Sequence, residues 1–250
     1  MGFNPFELTG KTILVTGASA GIGRAIAISC SMMGAIVIIT GRNKDRLDET
    51  FSKLAGIGHQ MILADLSVEE DRGYLVDKMP VLDGLVHCAG VGSRIPCKMV
   101  QKEDFRYVFT SNVEAPILLQ AEILVRKKLK KLSSVVFLAS KAASYPSIGN
   151  AVYSASKGAI ISYAKCLALE LAPRQIRVNC ICPAMVWTDL ILEGGISKEE
   201  LEVAQLKYPL KRYGQPEDVA YLAIYLLSDA SSWMTGTCVD LTGGGEGTLM

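Results

Sequence analysis

Residues 12–23 read TILVTGASAGIG. Thr12 to Thr16 is a short, β-branched apolar run, the signature of a buried strand. It passes directly into Gly17-Ala-Ser-Ala-Gly21-Ile-Gly23, and a helical pattern follows from Arg24 to Met33. Glycines at a strand-to-helix turn let the backbone approach a pyrophosphate closely. The helix start adds N–H donors and the positive end of its dipole. The spacing is G-x-x-x-G-x-G rather than G-x-G-x-x-G, but its place at the first strand–helix junction predicts a dinucleotide site. Ser19 and Ile22 fall inside that turn.

Working outward, strands and helices alternate to the end of the chain. Ile36 to Thr40 forms a second strand, His59 to Ala64 a third and Leu82 to Cys88 a fourth. Ser134 to Ala139 forms a fifth, Arg177 to Cys182 a sixth and Thr237 to Leu241 a seventh. Helices are expected over 43–54, 105–129, up to about Ala172, and from Gln215 to about Leu227. Only a parallel sheet covered on both faces accommodates such alternation. The expectation is one α/β domain over residues 1–250, a doubly wound seven-stranded parallel sheet with a substrate-loop insertion at about 184–212. Ligands of such sheets lie beyond the C-terminal strand ends. Gly21, Arg42, Asp65, Gly90, Ser140 and Pro183 should therefore meet in one crevice.

Residue types at those ends suggest chemistry. The second strand ends in Thr40-Gly41-Arg42, with no carboxylate for a ribose 2′-hydroxyl and a guanidinium suited to a 2′-phosphate, so NADP(H) is favoured over NAD(H). Asp65 is placed to cap the following helix or to meet adenine. Small residues Ala89 and Gly90 leave room for a ribose. Pro116 cannot donate to the carbonyl four residues back, which belongs to Asn112, so that main-chain oxygen should be free to hold a water. Tyr153 and Lys157, four apart, share a helical face, and a cation beside a phenol favours the phenolate.

Composition narrows the partners. The 250 residues carry a net charge of +1, and half are apolar. That balance argues against nucleic acid. No apolar run looks long enough for a membrane span, and MGFNPFELTGK lacks a signal-peptide pattern. The seven cysteines read as small buried hydrophobes in a reducing, cytoplasmic setting. Two histidines, His59 and His87, in strand-like runs predict no metal site. Along the helix after Tyr153, one face carries Ile160, Ala164, Leu167 and Leu171. The other carries Ala155, Gly158, Ala159, Cys166 and Leu169. Two apolar faces predict burial on both sides, one against the sheet and one against a second subunit.

Jointly, Thr16-Gly17-x-x-x-Gly21-Ile-Gly23, Asp65, Cys88-Ala89-Gly90, Asn112, Ser140, Tyr153-x-x-x-Lys157 and Pro183-Ala-x-Val-x-Thr188 resemble the short-chain dehydrogenase/reductase superfamily, with its Rossmann fold. They run in family order from residue 9 to 244, closest to the 3-oxoacyl-carrier-protein reductase-like branch. The resemblance implies an NAD(P)-dependent oxidoreductase of ketones and secondary alcohols. Tyr153 would be the general acid, Ser140 would hydrogen-bond the carbonyl, Lys157 would bind the nicotinamide ribose and Asn112 would hold a relay water. Gly17, Ser19, Gly21, Ile22, Gly23, Arg42, Asp65, Leu66, Ala89, Gly90, Tyr153, Lys157, Pro183, Val186 and Thr188 would line the cofactor. It also implies a homotetramer or dimer. Departures are Cys88 in place of a frequent Asn, Ala184 in place of Gly, and an unusual Lys141 after Ser140.

Substrate choice falls to the loops Gly92 to Pro96, Ser144 to Asn150 and Pro183 to Leu206. Trp187, Leu190, Ile191 and Leu192 suggest an apolar lid or a subunit contact. Arg94 could read a substrate anion or stand solvated. An acyl carrier protein is a possible partner, docking on Arg174 and the cluster from Arg126 to Lys131. The reading from another class is a catalytically idle NADP-binding scaffold or sensor.

Overall fold

A computed structural model describes residues 4–145, 147–192 and 195–245. Met1 to Phe3, Pro146, Glu193, Gly194 and residues 246–250 lie outside the described residues, and with them parts of the expected substrate-determining stretches Ser144 to Asn150 and Pro183 to Leu206. One sheet organises the chain. Its strands are β1 (Thr12–Thr16), β2 (Ile36–Gly41), β3 (Gln60–Leu63), β4 (Leu82–His87), β5 (Leu129–Leu138), β6 (Arg177–Pro183) and β7 (Cys238–Leu241). They lie in the order β3-β2-β1-β4-β5-β6-β7, and every neighbouring pair is parallel. The order reverses between β1 and β4, which opens the crevice above that pair.

Alternate residues explain the two layers. On β1, Ile13 and Val15 enter one core while Leu14 enters the other; on β5, Val136 and Leu138 oppose Val135 and Phe137. Helices α1 (Gly21–Met32) and α9 (Pro216–Leu227) cover the first face. Helices α3 (Glu69–Lys78), α5 (Ala115–Val125) and α6 (Ala151–Leu171) cover the second. Helix α2 (Lys44–Phe51) begins at Asn43, whose Oδ1 accepts from the Arg46 N–H at 3.0 Å. Each fully buried Val, Leu or Phe contributes about 1.5–3 kcal/mol.

Several expected boundaries are corrected. The long helix over 105–129 is three pieces: α4 (Lys102–Phe109), a π-helical turn over Thr110–Glu114, and α5 with Pro116 in its first turn. Proline there removes a donor, so the wider turn absorbs the misfit and α5 restarts from the proline. The cationic stretch from Arg126 to Lys131, whose charge suits a helix end, is divided: Arg126 is the C-cap of α5, and the later lysines enter a strand. Helix α5 ends at Val125, and Lys130 and Lys131 belong to β5, which begins at Leu129. The register jumps from Leu82↔Leu129 to Gly84↔Ser134, so the intervening residues bulge outward. Lys130 Nζ then meets Asp83 at 2.8 Å, and exposed Leu132 takes a left-handed φ of 65°.

Together, Lys102–Val125 forms a helical stretch long and apolar enough to cross a membrane, contrary to the expectation that none exists. Here its Ala115, Leu119 and Ile123 are packed on the sheet as core.

The cysteine reading holds for Cys30, Cys180 and Cys182, which are buried, while Cys97 and Cys166 are exposed. On α6 the face of Ile160, Ala164, Leu167 and Leu171 is buried, whereas Ala155, Cys166 and Leu169 of the other face are open in the single chain.

Candidate active site

The glycine turn after β1 is held by side-chain and backbone bonds. Thr16 Oγ1 accepts from the N–H groups of Cys88 (3.0 Å) and Ala89 (3.1 Å), locking the β1 end to the β4 end. Gly17 has φ +64°, and a Cβ there would stand 2.7 Å from the Ala89 Cα. At Gly23 a Cβ would meet the Gly17 carbonyl oxygen at 2.3 Å. Helix α1 starts with no side-chain cap and no acid in its first turn. Its first N–H donors therefore face the turn with a positive dipole end, which fits a pyrophosphate. Ser19 and Ile22 lie within this cradle. Gly21 approaches Thr188: a Cβ there would be 3.2 Å from the Thr188 methyl. The turn thus joins the segment after β6, where the Ala184 N–H donates to Leu241 O at 3.0 Å and Val186 bridges to Gly214.

At the adjoining end of β2, Arg42 is 62% exposed, and its Nη1 lies 3.8 Å from Asp65 Oδ2, too long for a firm pair. A guanidinium so loosely held suits a phosphate monoester. Asp65 does not cap α3, whose N-cap is Val68; its Oδ1 instead closes a turn by accepting from Ser67 Oγ (2.6 Å) and N–H (3.0 Å). Partial burial pushes the Asp65 carboxyl up, but the Ser67 bonds and the Arg42 charge outweigh it and hold the group below the usual carboxylate range. Leu66 beside it is buried. The buried Thr40 hydroxyl at the same strand end has no hydrogen-bond partner among the described residues.

The other half of the crevice gathers at the end of β5. Lys157 is buried, and its Nζ donates to Leu138 O at 2.8 Å, two residues before Ser140. The same Nζ stands 5.7 Å from the centre of the Tyr153 ring. An ammonium has three donors, so two remain for other acceptors. Ser140 opens a short 3₁₀ turn and its Oγ accepts from the Ala142 N–H at 3.1 Å, which leaves its O–H able to donate. Asn112, in the π-helical turn, is 2% exposed. Its side chain brackets Val91, accepting from its N–H at 2.8 Å and donating to its carbonyl at 3.0 Å, and donates to Ser156 Oγ at 3.1 Å. Ser156 in turn donates to Tyr153 O at 2.7 Å. A Cβ at Gly90 would lie 3.0 Å from Asn112 Oδ1 and 3.5 Å from Lys157 Nζ. These contacts tie Asn112, Tyr153, Lys157 and Gly90 to the β5 end that leads into Ser140.

Three supports lie beyond the sequence-predicted set. Ser156 is one, and only its position between Tyr153 and Lys157 hinted at it. A second is the partner of Lys141, whose Nζ meets Asp240 Oδ2 at 2.6 Å and so crosses the end of β6 from β5 to β7. The third is a small aromatic core, Leu201, Tyr208 and Tyr213, on which Trp187 and Ile191 pack. Trp187 Nε1 also donates to Gln205 at 3.1 Å. Those two apolar groups thus anchor the segment after β6. The segment expected to be a lid or a subunit contact forms α7 (Asp189–Leu192), followed by α8 (Lys198–Gln205). Leu190 covers Gly92, where a Cβ would meet it at 3.2 Å. Cys88 packs against the core beneath α1 and α9, and burial pushes its thiol up to about 12 against the opposing Lys157 charge, so it is not a nucleophile at neutral pH.

A dinucleotide cradle at one strand end and a Ser/Tyr/Lys floor at the next define a nicotinamide-dependent oxidoreductase. Comparison with known proteins gives the family. Residues 17–245 match a family described as enoyl-(acyl carrier protein) reductase. The 3-oxoacyl-[acyl-carrier-protein] reductase of Rickettsia felis is 34% identical over 95% of this chain and 98% of its own length. The L-xylulose reductase of Caenorhabditis elegans is 32% identical over 96% of this chain and 97% of its own. Among solved structures, a putative NAD(P)-dependent gluconate 5-dehydrogenase from Beutenbergia cavernae, with bound NADP at low occupancy, superposes with a TM-score of 0.87 at 31% identity, covering 96% of this chain and 98% of its own. The chain belongs to the short-chain dehydrogenase/reductase family and is an oxidoreductase acting on alcohol/carbonyl pairs.

Proposed function

We propose that the enzyme uses NADP(H) to interconvert a small ketone and the corresponding secondary alcohol in this crevice. The observation that carries the reading is the buried Lys157 ammonium. It is fixed to the β5 end beside Ser140, beneath the Tyr153 ring and over the floor that Asn112 holds. Gly17, Ser19, Gly21, Ile22 and Gly23 hold the pyrophosphate, Arg42 takes the 2′-phosphate, and Asp65 and Leu66 flank adenine. Ala89 and Gly90 admit the ribose, Tyr153 and Lys157 bind its hydroxyls, and Pro183, Val186 and Thr188 bracket the carboxamide. The bound nicotinamide supplies or accepts the hydride.

The protein's own groups manage the proton. The Ser140 O–H donates to the substrate oxygen and fixes the carbonyl's direction. The Tyr153 O–H lies on the same side and delivers a proton to that oxygen as negative charge develops. Lys157 holds the ribose and stabilises charge on the tyrosine. The Asn112 carbonyl has Pro116 where its helical donor would be, and it retains a water through which the proton is replaced. The exposed apolar face of α6, with Phe105 and Leu118 of the neighbouring helices also exposed, supports self-association into a dimer or tetramer.

An absorbance screen of NADPH consumption over diverse ketones tests the reading. Turnover of at least one class is expected, and its absence across the whole panel would return the chain to the scaffold reading. A second reading, reduction of 3-oxoacyl groups on an acyl carrier protein, draws on the names of the 34% identical relatives. Its docking cations are largely engaged within the chain. Arg126 pairs with Asp77, Lys130 with Asp83, Lys128 donates to Met79 O, and Arg174 donates to Leu129 O. A direct assay with a 3-oxoacyl carrier protein decides between the two.

A further inference from the structure

The loops around the substrate half of the crevice have an unequal charge. From residue 84 to 102 there is no Asp or Glu, and from 123 to 169 there is none either. These stretches supply Arg94, Lys98, Lys141 and Lys157 to the region. Two of the four are committed: Lys141 to Asp240 at 2.6 Å, and Lys157 to Leu138 O at 2.8 Å. The third substrate loop, Pro183 to Leu206, does carry acids: Asp189 faces Arg46 on the cofactor side at 3.5 Å, Glu200 accepts from the Ser197 N–H at 3.0 Å, Glu202 lies 3.7 Å from Lys198, Glu199 follows Lys198 at the start of α8, and Glu193 lies outside the described residues.

Arg94 stands out among these cations. It makes no ion pair and no side-chain hydrogen bond among the described residues, and it is exposed. Its place is nevertheless fixed. The loop leaves β4 at Gly90 over the Asn112 and Lys157 side chains, and passes under Leu190 of α7 at Gly92. It is then zipped to the loop before Tyr153 by Ile95 N–H donating to Gly149 O at 2.7 Å. The Arg94 stem packs on Gly149, where a Cβ would meet Arg94 Cγ at 3.2 Å. Pro96 further restricts the chain at Ile95. The exposed side chain is therefore anchored by its stem beside Gly149, four residues before Tyr153, on the loop that passes under Leu190. A planar fork of donors with no acceptor among the described residues suits a carboxylate or phosphate, and the acid-free stretches 84–102 and 123–169 beside it favour an anion on that side of the mouth.

We infer that the substrate carries an anionic group and that Arg94 is the residue that reads it. The inference rests on the carbonyl-reducing reading above and names the substrate class for it. The shared chemistry is a carboxylate, as in a keto acid, or a phosphate, as at the end of a pantetheine arm.

The test measures steady-state turnover with NADPH for keto acids against their methyl esters, and for a 3-oxoacyl pantetheine with and without its terminal phosphate. The anionic member of one pair is expected to be preferred by about tenfold or more in kcat/KM, chiefly through KM. Added salt should erode that preference. Arg94→Gln should collapse the ratio toward one, and Arg94→Lys should keep part of it. NADPH titration of both variants verifies that they are folded. The pair that shows the preference identifies whether the anion is a carboxylate or a phosphate. Equal use of charged and neutral members by the unaltered enzyme, or a preference that survives Arg94→Gln, overturns the assignment to Arg94 while leaving the oxidoreductase reading intact. Failure to turn over any ketone overturns both.

Discussion

His87 makes the fold acid-labile in a calculable way. It is the last residue of β4, 4% exposed, with its ring stacked on Phe137 at 4.4 Å between centroids. Nε2 lies 3.1 Å from Gln120 Oε1, so the neutral ring donates there, while Nδ1 has no partner among the described residues. Protonation would place a charge and a new N–H in the core with no acceptor among the described residues. Burial therefore pushes the imidazole down from 6.5 to about 4, against the opposing pull of Gln120. The folded value lies below the unfolded one, so the unfolded chain binds the proton more readily. Stability from this group is fully present above 6.5 and is lost as pH falls toward 4. That displacement corresponds to about 3 kcal/mol in total, of which about 2 kcal/mol is lost between pH 7 and about pH 5. Denaturant unfolding at a series of pH values, on the native chain and on His87→Asn, isolates the effect. The variant is less stable at neutral pH but should show a shallower decline into acid. Parallel profiles for the two proteins would refute the reasoning.

Further perturbations follow from the same contacts. Gly17→Ala combines a φ of +64° with a Cβ 2.7 Å from backbone, so cofactor affinity should fall by at least about tenfold with a stability loss of about 1–3 kcal/mol, read by fluorescence titration and melting. Arg42→Ala should weaken NADPH binding by about tenfold and leave NADH binding nearly unchanged. Equal affinities for the two cofactors in the native enzyme would contradict that assignment. Lys141→Met and Asp240→Asn each release the strap across β6. The pair is partly exposed, so each should cost no more than about 1 kcal/mol, or about 2–4 °C in melting temperature. The double variant should be no worse than either single one.

Local patterns made the parallel architecture legible. A β-branched run entering glycines announces β1 and α1, and runs such as IVIIT and SVVFLA can be buried only in a sheet covered twice. Tyr153 and Lys157 were visible because four residues on a helix return to the same face. What escaped was non-local or depended on mismatch. Pro116 marks a break in the helix beside Asn112, but nothing in the periodicity says that a π-helical turn rather than a kink absorbs it. Lys130 and Lys131 look like a helix end by charge, and they enter a strand because Asp83 waits on the neighbouring one. Lys141 was unexplained in sequence because Asp240 lies 99 residues away. The packing of Trp187 on Tyr213 and its bond to Gln205 were not legible because those partners lie well along the chain. The substrate-determining loops carry the least periodicity, so their reading came from charge and packing.

The proton-transfer floor around Lys157 is the central claim, and Tyr153→Phe tests it most directly. The substitution removes one oxygen and leaves the ring over Lys157 in place. Turnover of the best ketone from the screen should fall by at least about a hundredfold, while NADPH titration gives an affinity close to that of the native enzyme. Turnover near the native rate in that variant, with cofactor bound, would contradict the account.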